Sequence, residues 1–400
     1  MINRIIGDSL LLARVGVQVL PLMLVVGAIT VGGISFVWAR RTRHVSVFRL
    51  VLTTQLSGTA LTLCLVLLLL YAPSSSIVVI AIYVLAELRG CFNLILISTL
   101  LNEHFCSKSQ HGPYAFVNAG SPVAGIATGF LVGIEAGEVS PEFLLGLCCV
   151  FDTVTVMIAS RVATKQTDAS FQEWQTHSEP GIVDTLNKPT KNIDKRLRTF
   201  TNALMAVVIT KTVVLSIVAF EWKVMADRAL GHDEESLERY FGLFYAISDA
   251  LILAIQLCLT RSILSRLGIR LSLLILPISL VGAGMFSLLT SNVRLLFAAL
   301  TVARGSMVLR RSIHDVAVQI IYGAMPRRVR RGVVAKVLGI AKPISEAIAA
   351  GLVGLFATAV PIRTFAWFWM PFLAVWLFYT LRLGIAWEQV VQSKESAHQG

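Results

Sequence analysis

Ionisable side chains stand in the middle of stretches that are otherwise apolar, and their spacing suggests what they do. In hydrocarbon each such group costs several kcal/mol, so it persists only in a pair, at a packing site or along a solute path. Lys211 and Asp249 sit near the centres of two consecutive apolar runs. They are expected to pair across adjacent helices, either fixing helix register or coupling to a substrate or ion. Glu87, Arg89 and Asn93 share a third run. Arg89 and Asn93, four apart, lie on one helix face while Glu87 points elsewhere, and a face so polar is expected to line a cavity. A later run holds Arg304, Arg310, Arg311, His314, Asp315 and Gln319. Arg304, Arg311 and Asp315 fall at i, i+7 and i+11, on one helical stripe. Arg311 and Asp315 are expected to satisfy each other, which leaves Arg304 and Arg310 without a local partner. His314 fits a hydrogen-bonded packing residue better than a proton carrier.

The next run adds Lys336, Lys342 and Glu346, with Pro343 after the second lysine, and Lys342 and Glu346 are spaced as an i, i+4 pair. Asp152 stands by itself in another run, where a hydrogen bond to a neighbouring helix would suffice. Among these groups Arg89, Lys211, Arg304, Arg310, Arg311, Lys336 and Lys342 outnumber Glu87, Asp152, Asp249, Asp315 and Glu346. A cavity with surplus positive charge favours a small anionic solute, and arginine forks suit carboxylate or phosphate.

The elements that must position these groups are membrane helices. Of 400 residues 56% are hydrophobic and 14% charged, with mean hydropathy +0.75. Soluble domains carry about 25% charged residues. Val17–Trp38, Leu50–Tyr71, Leu271–Leu289 and Val333–Val360 are each long enough to cross a bilayer, which takes about 20 apolar residues. The fold class expected is all-α: a polytopic membrane protein without a sizeable soluble domain. The net charge of +12 follows loop placement, and no window reads as a nucleic-acid module. Cys64, Cys91, Cys106, Cys148, Cys149 and Cys258 lack C-x2-C spacing, so no metal and no cofactor is expected. The first apolar stretch reads as a retained span, not a cleaved signal.

About eleven spans are expected. Five precede a polar connection at 162–200: 12–38, 48–71, 77–100, 114–134 and 142–161. Six follow it: 201–220, 240–260, 270–290, 293–322, 333–359 and 364–387. The domain plan is a first bundle over 1–161, a linker over 162–200, a second bundle over 201–390 and a tail over 391–400. Lysines and arginines divide about 20 to 5 between the two sets of connections. The rich set holds Arg40, Arg41, Arg43, Arg49, the linker, Arg261–Arg270 and Arg327–Arg331; the poor set holds Arg4, Lys223, Arg228, Arg239 and Arg363. By the positive-inside rule the linker and the C-terminus are cytoplasmic, in a cell membrane. The odd count suggests a 6+6 plan without its first helix, or one whose remnant lies in residues 1–12; the former is preferred.

Tyr83-Val84-Leu85-Ala86-Glu87-Leu88-Arg89-Gly90 followed by Asn102-Glu103 resembles the fourth-helix signature of the ATP/ADP translocase family, with Arg89 where that family carries tryptophan. Phe220-Glu221-Trp222-Lys223, then Tyr240-Phe241-Gly242, Arg266-Leu267-Gly268 and the helix of Pro277, resemble the same family's second half. The Lys-Tyr-Ser run of its nucleotide exchangers is lacking. The stretch from Arg310 through Met325-Pro326 to Arg331-Gly332 is more similar to divergent relatives. The resemblance implies a major-facilitator-like two-bundle fold and nucleotide transport, with Glu87, Glu221 and Lys223 serving exchange.

Two functions compete. One is a secondary transporter working by alternating access, with a midplane site containing Lys211, Asp249 and the Arg304/Arg311 stripe. The other is a non-transporting scaffold or receptor on a carrier fold, which would have a membrane-protein partner. Charges kept in many spans favour the first. No G-x4-G-K-[ST], H-E-x-x-H or G-x-S-x-G motif is present, so neither a pump nor an enzyme is expected.

Overall fold

The computed structural model describes residues 1–41, 47–104, 111–135, 138–166, 191–290, 292–323, 333, 337, 341–356 and 362–399. The described elements are helical. α1 (Ile2–Leu10) continues as a π-helical turn to Val15. α2 (Leu20–Arg41), α3 (Val47–Tyr71), α4 (Ser76–His104), α5 (His111–Ile134) and α6 (Pro141–Gln166) follow. Then come α7 (Lys191–Leu230), α8 (Glu234–Cys258) and α9 (Thr260–Leu289). α10 is assembled from Val293–Gly305, Met307–Leu309, a π-helical stretch Arg310–His314 and Asp315–Gly323. α11 (Lys342–Phe356) and α12 (Ala366–Gln399) complete the chain.

Burial shows which solvent these helices meet. Leu61 and Leu67 of α3, with Phe151 and Ile158 of α6, point out of the protein. Water would not tolerate such a belt, whereas lipid provides a matching surface. Eight helices among the described residues are long and apolar enough to cross a membrane, and Gly120–Ile134 is a shorter apolar helix. The chain is a multi-pass membrane protein. α10 is not among them because breaks at Ser306 and at the π-helical stretch divide it into short pieces, and it carries the charges of interest.

The helices form two groups. α1, α2, α3, α4 and α6 pack together, with α3 against α4 and α6; in the second group α7 is flanked by α10, α11 and α12. The groups meet where α5 lies along α8, where α2 lies along α11, and where α1 touches α8. The α5–α8 seam is very close: a Cβ on Gly129 would stand 2.8 Å from the Gly242 carbonyl oxygen, and one on Gly242 2.6 Å from the Gly133 nitrogen. Small residues at such a crossing let two backbones touch in the absence of a hydrophobic drive between helices.

Several expectations change here. The apolar run at 12–38 is not one span, because Gly16 (φ 97°) breaks it. Residues 2–15 form a helical segment of their own, with Ile2, Ile5, Ile6, Leu10, Leu11 and Leu12 buried in the core, in keeping with the second of the two alternatives. The connection expected over 162–200 is helical at both ends, since α6 reaches Gln166 and α7 starts at Lys191; 167–190 lie outside the described residues, as do Lys108, Arg327–Arg331 and Lys336. α12 runs through most of the expected tail to Gln399.

Candidate functional site

The polar centre is built around the π-helical stretch of α10. A π turn closes i→i+5 and shifts the register of the residues beyond it, so residues four apart around it no longer share a face. Arg311 and Asp315, expected to pair, therefore address different neighbours. Arg311 Nη1 donates to Asp249 Oδ1 of α8 at 2.6 Å and Nη2 to Ser121 Oγ of α5 at 3.1 Å. Asp315 Oδ1 accepts from Lys211 Nζ of α7 at 3.0 Å. The pairing expected between Lys211 and Asp249 is thus corrected: each has a partner on α10 instead. His314 is fully buried, with Nδ1 3.4 Å from Asp315 Oδ1, and its ring meets Trp376 edge-on. That is a packing environment, as expected.

Arg304 and Arg310 are the exceptions. The Arg304 side chain is buried, its guanidinium 5.4 Å from the centre of the Trp222 ring, a cation–π contact, and its Nε has no hydrogen-bond partner. Arg310 Nε is also unpartnered, 3.8 Å from Asp315 Oδ2. Arg304 makes no salt bridge among the described residues, as the sequence implies; for Arg310 the structure supplies one distant carboxylate, already held by Lys211.

In the first group the charges are consumed by packing. Arg89 Nη2 donates to Asp152 Oδ2 in a very short contact and Nη1 to Thr62 Oγ1 at 2.7 Å, while Thr59 donates to the same carboxylate at 3.3 Å. Asp152 is therefore not solitary: it is half of an ion pair joining α4 to α6. Asn93 accepts from Gln55 of α3 at 2.9 Å. Glu87 does point elsewhere, accepting from Arg4 Nη2 at 3.4 Å.

Arg4, expected in a connection, belongs instead to α1, where its side chain is 44% exposed. Lys223, expected in another connection, lies buried in α7 with Nζ 2.5 Å from Asp8 Oδ1 and 5.3 Å from the Tyr83 ring centre. Glu221 is buried on another side of α7, where both its oxygens accept from Trp369 Nε1 at 3.2 and 3.3 Å. These two residues, singled out by resemblance, are separated and enclosed. The signal for Arg4 and Asp8 is present in the sequence: they are the charges of an apolar segment, Ile2 to Leu12, the same pattern that marks the other spans.

The charges acting on Arg310 are those of Asp315, Arg304, Arg311 and, from the first group, Arg4. Those acting on Glu346 are Lys342, Glu87, Arg4 and Arg310. Lys342 and Glu346 stand 3.8 Å apart, as their spacing suggests. The printed pairs stay within each group: Arg4 with Glu87 in the first, and Lys342 with Glu346 and Arg310 with Asp315 in the second. Among the described residues no three His, Cys, Asp or Glu gather where they could hold a metal ion.

No family model and no curated protein matches the chain. A solved structure does: the crystal structure of a bacterial homologue of the iron transporter ferroportin in an inward-facing state. It is 14% identical, covers 97% of this chain and 96% of its own, and superposes with a TM-score of 0.54. The fold is major-facilitator-like. At that identity the likeness concerns architecture, a two-bundle helical membrane protein matched end to end. The resemblance to ATP/ADP translocases finds no counterpart in these comparisons beyond the common architecture.

Proposed function

We propose that the chain is a secondary transporter in which the two helical groups rock about the polar junction, and that its solute is an anion. The observation that carries this reading is the pair Arg304 and Arg310, cations of α10 whose Nε groups are buried without a hydrogen-bond partner. A buried charge left uncompensated is costly, and an anionic solute held by two guanidinium forks would compensate it. Asp315, which shares Lys211 and Arg310, is the carboxylate a solute would displace.

The ferroportin homologue is named for an iron transporter. A metal cation entering this chain's junction would meet Arg304 and Arg310, carboxylates (Glu87, Asp315 and Glu346) that each already hold a cation of the protein, and no gathered donor set among the described residues. The arrangement supports an organic anion or phosphate ester, with nucleotides as one member of that class. We place the linker and the arginine-rich connections on the cytoplasmic side. The competing reading, a non-transporting scaffold with a membrane-protein partner, gives no role to the unpartnered Nε groups of Arg304 and Arg310.

The test is solute exchange by purified protein in liposomes, with nucleotides, dicarboxylates, inorganic phosphate and Fe2+ or Mn2+ as the panel, comparing the parent with Lys211→Ala, Arg310→Gln and Arg311→Ala. Exchange of an anion that falls at least tenfold in Arg310→Gln supports the proposal. Movement of the divalent cation alone overturns the anionic reading, and no movement of any solute overturns the transporter reading.

A further inference from the structure

One end of the molecule, opposite the end where α6 finishes and α7 begins, carries the turns 72–75 and 231–233 and the π-helical end of α1. There Arg14 makes a three-point contact. Its Nε and Nη2 donate to Glu234 Oε2 and Oε1 at 2.9 and 3.0 Å, and its Nη1 donates to the Pro73 carbonyl oxygen at 2.8 Å. The fork matches both carboxylate oxygens, the strong geometry for this pair. Pro73 belongs to the first helical group and Glu234 opens α8 of the second, so a single side chain ties the two together.

Two further polar contacts from the same segment lie behind it. Ser9 Oγ donates to Glu238 Oε1 of α8 at 3.3 Å, and Asp8 takes the Lys223 ammonium of α7. The segment itself packs on α4, where Gly7 abuts Tyr83, and so is carried by the first group. Its junction with the second group is made of polar contacts graded by access: Arg14 and Glu234 are each 28% exposed, whereas Asp8 is 1% exposed. Water can replace the outermost contact, and the inner ones part only once it has opened. Immediately after Arg14 and Val15, Gly16 at φ 97° has no neighbour within 4 Å of where a Cβ would stand, so the chain can swivel there.

We infer that Arg14, Glu234 and the Pro73 carbonyl form a latch holding this end shut, with residues 2–15 as the gate, and that the latch opens when the other face of the junction closes. The inference rests on the two-group transporter reading and names its gate.

The test uses a Ser9→Cys reporter in the full chain, with the native cysteines replaced, in lipid nanodiscs that expose both faces to a membrane-impermeant maleimide. Ser9 is fully buried in the latched protein, so the reporter alone is expected to label slowly. Adding Glu234→Gln is expected to raise the labelling rate at least tenfold. Arg14→Lys, which keeps the charge and loses the fork, is expected to fall between. Combining Arg14→Glu with Glu234→Arg is expected to return the rate towards that of the reporter alone, and unchanged melting and size-exclusion profiles separate opening from unfolding. A Glu234→Gln rate equal to that of the reporter alone, or an exchanged pair that restores nothing, overturns the latch. No solute is needed, so failure of exchange in liposomes would leave this result standing on its own.

Discussion

Arg89 and Arg310 are both arginines set deep in apolar helices, yet their surroundings differ in kind. Arg89 has a carboxylate on one nitrogen and a threonine hydroxyl on another, with α3, α4 and α6 closed around it. Arg310 has an unpartnered Nε, a carboxylate 3.8 Å away that Lys211 already holds, and the charges of Arg304, Arg311 and Arg4 acting on it. The same residue type is a structural clamp in one group of helices and a cation with an unpartnered Nε in the other. What distinguishes them is whether the protein itself completes the hydrogen bonding, which neither the presence of charge nor its depth in a span reveals.

The largest effect is expected where that completion is broken. Arg89→Ala leaves the Asp152 carboxylate buried without its cation, and removal of one partner from a buried pair costs about 3–5 kcal/mol. A strongly lowered unfolding midpoint in detergent should result, with much of it recovered by Arg89→Leu combined with Asp152→Leu. Next comes the α5–α8 seam. Gly242→Ala places a Cβ against the Gly133 backbone, and overpacking of this kind costs about 1–3 kcal/mol, read as a lower midpoint with weaker protection of α5 in hydrogen exchange. Gln55→Leu removes one interhelical hydrogen bond to Asn93, for which about 0.6 kcal/mol is typical in membranes. The smallest change in stability is expected at Arg310→Gln, within about 0.5 kcal/mol in either direction, because no complete hydrogen bond of that side chain is lost. If Arg310→Gln destabilised as much as Arg89→Ala, the contrast between the two arginines would disappear.

Much of the architecture is legible in the sequence. Runs of apolar residues long enough to span, punctuated by Ala72-Pro73-Ser74-Ser75 and similar breakers, identify most of the helices from α2 onward. Polar residues inside those runs mark where the interhelical pairs form, and the side-chain direction of Glu87 relative to Arg89 follows from helical geometry alone. Three features are hidden. α1 merges into the next span because a glycine with positive φ looks, in sequence, like any glycine in an apolar run. Partner choice on α10 escapes prediction because the π-helical stretch at Arg310–His314 changes the register on which the i, i+7, i+11 stripe depends. Long-range pairs such as Asp8 with Lys223 and Arg89 with Asp152 are invisible because they are set by which helices become neighbours, and spacing along one helix carries no such information. The resemblance to nucleotide exchangers points to Glu221 and Lys223, which packing has enclosed, and passes over Arg4.

The junction between the two helical groups is, on this account, built to receive an anion and not a cation. The most direct measurement is ligand-induced thermal stabilisation of the purified protein at fixed ionic strength, titrated with inorganic phosphate, a dicarboxylate, a nucleotide and Mn2+, for the parent and Arg310→Gln. The account predicts saturable stabilisation by at least one of the anions, weakened at least tenfold in Arg310→Gln, with none from Mn2+. Stabilisation by Mn2+ in both proteins, with no anion having any effect, would contradict it.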